Sequence, residues 1–240
     1  MQLKVEGIEK SFDKKHVLCG ATYTFEEGKI YGLLGRNGAG KTTLFNCIND
    51  DLPIDSGNIS ILSTDADGKD IERPVVSDDI GYVLSTPSVP EFLTGREFLQ
   101  FFTEINAKHI DNTKTLDDYF DLVSLEPEDR DRLLKDYSHG MKNKMQLLVS
   151  FIANPSILLL DEPLTSFDVV VADEMKKLLR HMKDNHILIF STHIMELALD
   201  LCDCIVILNN GVLEEIQRDS LDNEAFKDKI IAALKGEDHD

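Results

Sequence analysis

The residues with the clearest chemical meaning form a glycine-rich segment, residues 35–42, with the spacing G-x-x-x-x-G-K-T. This spacing is typical of a phosphate-binding loop, in which glycines let the backbone turn so that several N–H groups point at one phosphate. Lys41 would bring positive charge to the outer phosphates, and the hydroxyl of Thr42 would ligate Mg²⁺. The segment therefore predicts a site for a nucleoside triphosphate and a magnesium ion.

The flanking residues supply the strand and the helix that such a loop requires. Residues 30–34 form an apolar run typical of a buried strand, and residues 41–49 favour a helix. A helix N-terminus attracts anions, because its first N–H groups lack partners within the helix. An ordinary glycine-rich turn is the alternative interpretation, and the strand–loop–helix order argues against it. The residues expected to contact the nucleotide here are Gly35, Asn37, Gly38, Ala39, Gly40, Lys41, Thr42 and Thr43.

A second group of chemically active residues follows four consecutive aliphatic residues, 157–160, which run directly into Asp161 and Glu162. Such a run predicts a buried strand, so both carboxylates would lie at its carboxyl end. The segment resembles the Walker B strand of nucleotide-hydrolysing proteins, which implies that Asp161 holds Mg²⁺, generally through water, and that Glu162 orients and deprotonates the attacking water. An adjacent Asp-Glu pair is common on protein surfaces, but the aliphatic run before it and Pro163 after it favour the catalytic interpretation.

The charge balance limits the partners of the chain. Its 240 residues include 44 Asp and Glu against 25 Lys and Arg, a formal net charge of −19. This balance argues against nucleic-acid binding and against adsorption on an anionic membrane, because both need a basic surface. No apolar run approaches the roughly 20 residues that span a bilayer, and residues 1–10 lack the apolar segment of a signal peptide. We therefore expect a cytoplasmic protein with no nucleic-acid partner and no direct membrane insertion.

The four cysteines form neither a C-x-x-C pair nor any spacing typical of metal ligands. This usage fits a reducing compartment such as the cytosol. We therefore expect all four to act as small buried apolar side chains.

Predicted strands and helices alternate along much of the chain, and the first crossover is glycine-rich, which indicates an α/β fold with a mostly parallel sheet. Strand and turn patterns in residues 1–34, and a hairpin signal at residues 209–211, add an antiparallel β portion. Residues 86–155 show helical periodicity and are interpreted as an inserted helical subdomain. The predicted domains are thus a discontinuous core, residues 1–85 and 156–217, the insertion, and a C-terminal helix and tail, residues 218–240.

Within the insertion, Thr94 and Glu97 have the spacing of a capping box, which predicts the start of a helix. A dense charge run at residues 126–136 is expected to be a solvated face. The apolar residues expected on one face of the first helix are Phe98, Phe101, Phe102 and Ile105.

A third motif, residues 137–141, lies between the two nucleotide motifs and reads Tyr-Ser-His-Gly-Met. It resembles the signature motif of ATP-binding cassette (ABC) ATPases, whose usual form is Leu-Ser-Gly-Gly-Gln. Ser138 and Gly140 match this form, and the other three residues depart from it. A small hydroxyl residue and a glycine at a helix N-terminus can bind a γ-phosphate. The resemblance implies that this site faces the phosphate-binding loop of a second cassette, so that two cassettes enclose two ATP molecules.

Further positions agree with the same family. His193, just after a predicted buried strand, matches the switch histidine that contacts the γ-phosphate, and Phe12 lies where the family places an aromatic ring against adenine. Residues 164–168 resemble the D-loop, with Asp168 matching and Ser166 where glycine is usual. The resemblance covers residues 1–217 and is greatest to the nucleotide-binding subunit of a bacterial ABC transporter of the exporter type. It implies a P-loop NTPase (RecA-like) fold.

The resemblance implies hydrolysis of ATP to ADP and phosphate, with Lys41, Glu162 and His193 as catalytic residues and Thr42 and Asp161 at Mg²⁺. It also implies transmembrane permease subunits and a second ABC cassette as partners, at the inner face of the cell membrane. The second cassette would be either an identical chain or a different one.

One departure concerns the residue after the predicted strand 80–84, where the family usually has a glutamine that ligates Mg²⁺ and senses the membrane partner. The chain has Ser85 there, which is too short for that reach. The hypothesis is that hydrolysis stays slow until a partner completes the site.

Three alternatives remain open at this level. A catalytically weak cassette that regulates a heterodimer is compatible with Ser85 and the altered signature. A soluble ABC protein acting on ribosomes or DNA would usually show tandem cassettes, coiled coils or a basic surface. A GTPase would have an Asn-Lys-x-Asp motif, which does not occur in the sequence.

Overall fold

The computed structural model describes residues 1–65, 67–107, 110, 114–163, 169–217 and 223–235. Within these residues the chain forms ten strands and seven α-helices, with short 3₁₀ turns between some of them. The strands are β1 (Gln2–Phe12), β2 (Lys15–Glu26), β3 (Lys29–Leu34), β4 (Ser56–Thr64), β5 (Asp70–Pro74), β6 (Ile80–Val83), β7 (Ile157–Asp161), β8 (Ile187–Thr192), β9 (Cys204–Asn209) and β10 (Val212–Glu215). The helices are α1 (Lys41–Ile48), α2 (Gly95–Ile105), α3 (Leu116–Leu122), α4 (His139–Ala153), α5 (Val169–Met182), α6 (Met195–Leu201) and α7 (Asn223–Lys235).

The strands form two sheets. The larger sheet has the order β10-β9-β3-β8-β7-β6, in which β9, β3, β8, β7 and β6 are parallel and β10 pairs antiparallel with β9. The smaller sheet is antiparallel, with the order β2-β1-β4-β5. The predicted α/β class, with a mostly parallel sheet and an antiparallel portion, is confirmed.

The larger sheet is covered on both faces, which explains the aliphatic runs in its central strands. Every residue of β7 and β8 is buried. Alternate side chains enter opposite cores, because successive strand residues point to opposite faces. Ile157 and Leu159 pack with the smaller sheet and α1, whereas Leu158 and Leu160 pack with α2–α5. The carboxyl ends of β3, β7 and β8 are thereby held at one edge of a rigid layer.

Helix α2 begins as predicted, with the side chains of Thr94 and Glu97 completing a capping box. Its expected apolar face is only partly correct. Leu99 is the fully buried residue, and Phe98 and Phe102 pack against the same core, whereas Phe101 and Ile105 are exposed. The helix turns about 100° per residue, so a core contact centred on Leu99 leaves Phe101 and Ile105 on the solvent side.

The charge run at residues 126–136 is not wholly a solvated face, because the side chain of Arg130 is buried within it. Its guanidinium group donates to the carbonyl of Leu125 and to the carboxylates of Asp117 and Asp121. A buried charge requires such partners to offset its loss of hydration. Arg130 therefore ties the charged segment to α3.

The four cysteines are all free thiols. Cys47 is buried, and Cys202 and Cys204 are partly buried, but Cys19 is exposed, so the prediction of four buried thiols is wrong for Cys19. Cys19 points outward because side chains of β2 alternate between the core and solvent.

Among the residues that the structure describes, no helix combines the length and the apolar character needed to cross a bilayer.

Candidate nucleotide site

The glycine-rich segment joins the carboxyl end of β3 to the N-terminus of α1, as predicted. A Cβ atom on Gly35 would lie 2.9 Å from the carbonyl oxygen of Leu208, and one on Gly40 would lie 2.8 Å from Cγ1 of Val17. Both distances are too short for a real Cβ atom, so glycine at these two positions permits the loop to pack closely on its neighbours. Gly38 has a φ of 78° and open space around its α-carbon. The loop is therefore packed against protein on one side and open at Gly38.

The N-terminus of α1 is arranged to bind an anion. The first hydrogen bond of the helix runs from Leu44 N–H to the Gly40 carbonyl, 2.8 Å. The N–H groups of Lys41, Thr42 and Thr43 precede it and have no acceptor within the helix. Together with the helix dipole they form a cluster of donors suited to phosphate.

Lys41 lies beside this cluster and is 8% exposed. Its Nζ donates to the carbonyl oxygen of Gly35, 2.8 Å away. Burial lowers the pKa of Lys41, and the negative charges of Glu162 and Asp161 oppose this effect. A bound phosphate would likewise favour the charged form, so the ammonium group is placed to contribute to phosphate binding.

Asp161, 2% exposed, connects the two nucleotide motifs at the end of β7. Its Oδ2 accepts a hydrogen bond from the Thr42 hydroxyl, 2.8 Å, and its Oδ1 accepts one from the Ser191 hydroxyl. A hydroxyl and a carboxylate oxygen next to a phosphate-binding loop are hard oxygen donors of the kind that Mg²⁺ prefers. Thr42 and Asp161 therefore fit a magnesium ion, to which they would supply oxygen ligands.

Glu162 and His193 come from the ends of two neighbouring strands, β7 and β8, and meet beside the loop. Nδ1 of His193 lies 2.9 Å from each carboxylate oxygen of Glu162. The backbone of Glu162 has a φ of 51°, and its N–H donates to the carbonyl and hydroxyl oxygens of Ser191, 3.2 Å each. A left-handed conformation is uncommon for a residue with a side chain and persists where surrounding contacts impose it. These contacts hold the carboxylate in a defined position beside the loop.

A cleft of about 410 Å³ lies over the loop and contains many of the predicted residues. Phe12, 43% exposed, stands at its edge, with Nζ of Lys10 5.6 Å from the ring centroid. Lys15 and Val17 of β2 also line the cleft, and sequence reasoning missed them. Lys15 lies opposite Phe12 in the β1–β2 pair. A predicted hairpin between these two strands could therefore have placed Lys15 near the adenine position assigned to Phe12. The full lining is Phe12, Lys15, Val17, Asn37, Gly38, Ala39, Gly40, Lys41, Thr42, Thr43, Ser85, Asp161 and Glu162.

Ser138 and Gly140 are not among the residues that line this cleft. Ser138 is exposed and caps α4, with its hydroxyl accepting a hydrogen bond from Met141 N–H, 3.2 Å. The predicted D-loop, residues 164–168, lies outside the described residues. Within one chain, the structure thus brings the first two motifs together and leaves the third, with its exposed Ser138, outside the cleft.

Comparison with known proteins places this geometry in a family. The family model described as "ABC transporter" matches residues 18–165, more than half of the chain. The chain belongs to the ABC transporter family. This membership makes it an ATP-binding protein of the ABC ATPase class, with a P-loop fold.

Individual relatives agree with this assignment. The bacitracin transport ATP-binding protein BcrA of Bacillus licheniformis is 33% identical over 223 residues, which cover 91% of this chain and 68% of BcrA. The uncharacterized ABC transporter ATP-binding protein YdbJ of Bacillus subtilis is 31% identical over 215 residues, 88% of this chain and 68% of YdbJ.

Solved structures show the same fold. An ATP-binding subunit of an ABC transporter superposes with a TM-score of 0.79 at 23% identity, over 98% of this chain and 100% of that one. A putative ABC transporter ATP-binding protein from Pyrococcus furiosus superposes with a TM-score of 0.70 at 25% identity, over 87% of this chain and 98% of that one.

Proposed function

We propose that this ABC protein hydrolyses ATP and dimerises around it to drive separate permease subunits of a transporter. The observation that carries the proposal is the cleft over the phosphate-binding loop, in which Thr42 meets Asp161 and whose lining residue Glu162 is bonded to His193. These contacts bring together a phosphate cradle, a pair of oxygen ligands and a candidate general base.

In the proposed reaction, the N–H groups of the loop and Lys41 bind the phosphates and offset the negative charge that develops during transfer. The oxygen of a water molecule attacks the γ-phosphorus, the bond to the β–γ bridging oxygen breaks, and ADP leaves. Glu162 orients the water and accepts its proton, and His193 holds that carboxylate in place. Mg²⁺, held by Thr42 and Asp161, would supply further neutralisation of the phosphate oxygens. Phe12 would stack on the adenine ring.

The exposed Ser138 of the signature motif supports the proposed dimer. Ser138 and Gly140 lie at the N-terminus of α4, a helix of 15 residues, and its first N–H groups have no acceptor within the helix. Because neither residue lines the cleft of its own chain, we propose that they bind the γ-phosphate of ATP held by a second cassette, identical or different. ATP would then join two subunits, and hydrolysis would release them.

Coupling to the membrane would pass through residues 86–155, which we propose as a helical subdomain inserted between residues 1–85 and 156–217. This region exposes Phe92, Phe101 and Ile105, which are 80%, 56% and 64% exposed. Exposed apolar side chains grouped in one region mark contact surfaces in many proteins. We propose that they contact permease subunits, with the ATPase on the cytoplasmic face of the membrane.

A catalytically weak, regulatory cassette is the second candidate. Ser85 favours it, because this residue lines the cleft where the family usually has a longer side chain that ligates Mg²⁺. The contacts of Asp161 and Glu162 favour an active enzyme.

The test is the substitution Glu162→Gln, measured in the purified chain alone and with its permease. We expect the variant to bind ATP like the parent, to lose turnover by a factor of about 10²–10⁴, and to accumulate an ATP-bound dimer. Sedimentation velocity and a phosphate-release assay measure these effects. Glu128→Gln is the matched control, because it makes the same chemical change at an exposed residue. Unchanged turnover in Glu162→Gln would disprove the assignment of the general base.

A further inference from the structure

A buried side chain of α4, that of Gln146, is hydrogen-bonded to the loop that follows β6. Gln146, in the middle of α4, is 6% exposed. Its Oε1 accepts a hydrogen bond from Ser88 N–H, 2.9 Å, and its Nε2 donates to the carbonyl oxygen of Leu84, 3.3 Å. The amide group thus binds the chain on both sides of Ser85.

The two ends of this connection are both parts of the proposed machinery. Ser85 lines the nucleotide cleft. Gln146 lies eight residues after Ser138, which is about 12 Å along a helix that rises 1.5 Å per residue. One rigid helix and one side chain therefore join the exposed signature site to the edge of the cleft.

The energetic basis is the cost of breaking these bonds. A buried polar group that loses its partner costs about 1–3 kcal/mol. Because the buried amide of Gln146 uses both its donor and its acceptor on this loop, α4 cannot slide past the loop without leaving that amide unpaired. A displacement of α4 is therefore expected to carry the segment from Leu84 to Ser88 with it.

We propose that Gln146 is a positioning residue for ATP hydrolysis: it transmits movement of the signature helix to the Ser85 edge of the cleft. The proposal rests on the proposed function, because it assumes that a second cassette engages Ser138. When that contact forms, the N-terminus of α4 shifts, and the Gln146 amide moves the loop toward the position in which the cleft is competent for hydrolysis. Gln146 itself touches no nucleotide.

The experiment compares Gln146→Met with the parent protein. Methionine has a similar length and fills the same space, but it cannot make the two hydrogen bonds. We expect kcat to fall by between about tenfold and a hundredfold while the KM for ATP stays within about twofold, because the change affects positioning and not binding. Hydrogen exchange should show that ATP protects residues 84–88 and the first turns of α4 together in the parent. In the variant, ATP should protect only α4.

Two further variants make the test specific. Ser150→Ala is the matched control, because Ser150 is buried on the same helix and its hydroxyl bonds only locally, to the Gln146 carbonyl, 2.9 Å. It should leave both kcat and the exchange pattern unchanged. Gln146→Glu keeps an acceptor for Ser88 N–H and loses the donor to the Leu84 carbonyl, so it should also uncouple the loop from α4. This variant provides the test if Gln146→Met folds poorly.

The outcomes separate this inference from the function on which it rests. Turnover and ATP-induced loop protection at parental levels in both Gln146→Met and Gln146→Glu would overturn the role of Gln146 and leave the ATPase intact. A parent protein that neither binds nor hydrolyses ATP, even with its permease, would overturn the proposed function and this inference with it.

Discussion

Ser85 is a residue at which this chain departs from the pattern that its resemblance to ABC ATPases predicts, which is a glutamine. It lies at the edge of the cleft, in the same lining as Thr42 and Asp161, and the neighbouring carbonyl of Leu84 is bonded to Gln146. A serine hydroxyl cannot extend to a metal ion as a glutamine amide can. The site is consequently expected to hold Mg²⁺ and water less firmly in the isolated subunit.

We therefore expect Ser85→Gln to raise the ATPase rate of the isolated chain by about tenfold, the scale on which groups that orient metal ligands act. The measurement is phosphate release at saturating ATP over a range of Mg²⁺ concentrations. Ser77→Gln provides a control, because Ser77 is exposed and precedes β6. If the isolated chain already turns over at an ordinary rate and Ser85→Gln changes nothing, the idea of an incomplete site is incorrect.

At the scale of elements, the start of α2 and the signature segment fit together at one close contact. A Cβ atom on Gly95 would lie 2.2 Å from the hydroxyl oxygen of Tyr137 and 3.0 Å from the carbonyl oxygen of Arg130. Tyr137 is 5% exposed, and its hydroxyl donates to the Asp129 carbonyl, 2.7 Å. The absence of a side chain at Gly95 thus leaves room for the tyrosine that directly precedes Ser138.

This contact predicts that Gly95→Ala destabilises the protein by about 1–3 kcal/mol, the usual cost of overpacking. Helix propensity alone would predict the opposite sign, because alanine is the better helix former. Urea denaturation of Gly95→Ala, Tyr137→Leu and the double variant should show that the two changes are not additive, since the leucine makes room for the new methyl group. Additive effects would show that the two positions do not constrain each other.

At the scale of the whole molecule, the net charge of −19 opposes the association of two copies. Like charges repel over distances set by the ionic strength, with a screening length of about 10 Å at 0.1 M salt and 3 Å at 1 M. The ATP that joins the proposed dimer has to overcome this repulsion, so dimer formation depends on both nucleotide and salt.

For the ATP-bound Glu162→Gln variant, we expect the dimer dissociation constant to fall by about tenfold between low salt and 0.5 M NaCl, because screening reduces the repulsion. Sedimentation velocity at several protein concentrations measures it. Binding of ATP to the monomer, followed separately, is the control for direct effects of salt on the nucleotide. A dimer that dissociates as salt is added would indicate instead that attractive charge pairs across the interface outweigh the net repulsion.

Several local features followed from the sequence because they depend on neighbouring residues. The glycine-rich loop, the capping box at Thr94 and the aliphatic strand before Asp161 are of this kind, and the structure confirms each. Features that depend on distant partners were not foreseen. Burial of Arg130 requires α3 to be in place, and exposure of Phe101 depends on which side of α2 meets the core. The functional roles assigned to the site residues stay predictions, those of Lys41, Glu162 and His193 as much as those of Phe12, Ser138 and Gly140.

The sequence by itself determined the chemical class of the site, because the spacing of glycines, Lys41 and Thr42 sets a local backbone geometry that only a few ligands fit. The tertiary structure decided the contacts between distant groups: Thr42 meets Asp161 across a separation of 119 residues, as the family resemblance implied, and Gln146 meets Leu84 across 62, which no motif indicated. Such pairs arise from strand order and helix packing, which depend on the whole chain and not on neighbouring residues. Local motifs therefore identified the nucleotide-binding loop, whereas its links to the signature helix became visible only in three dimensions.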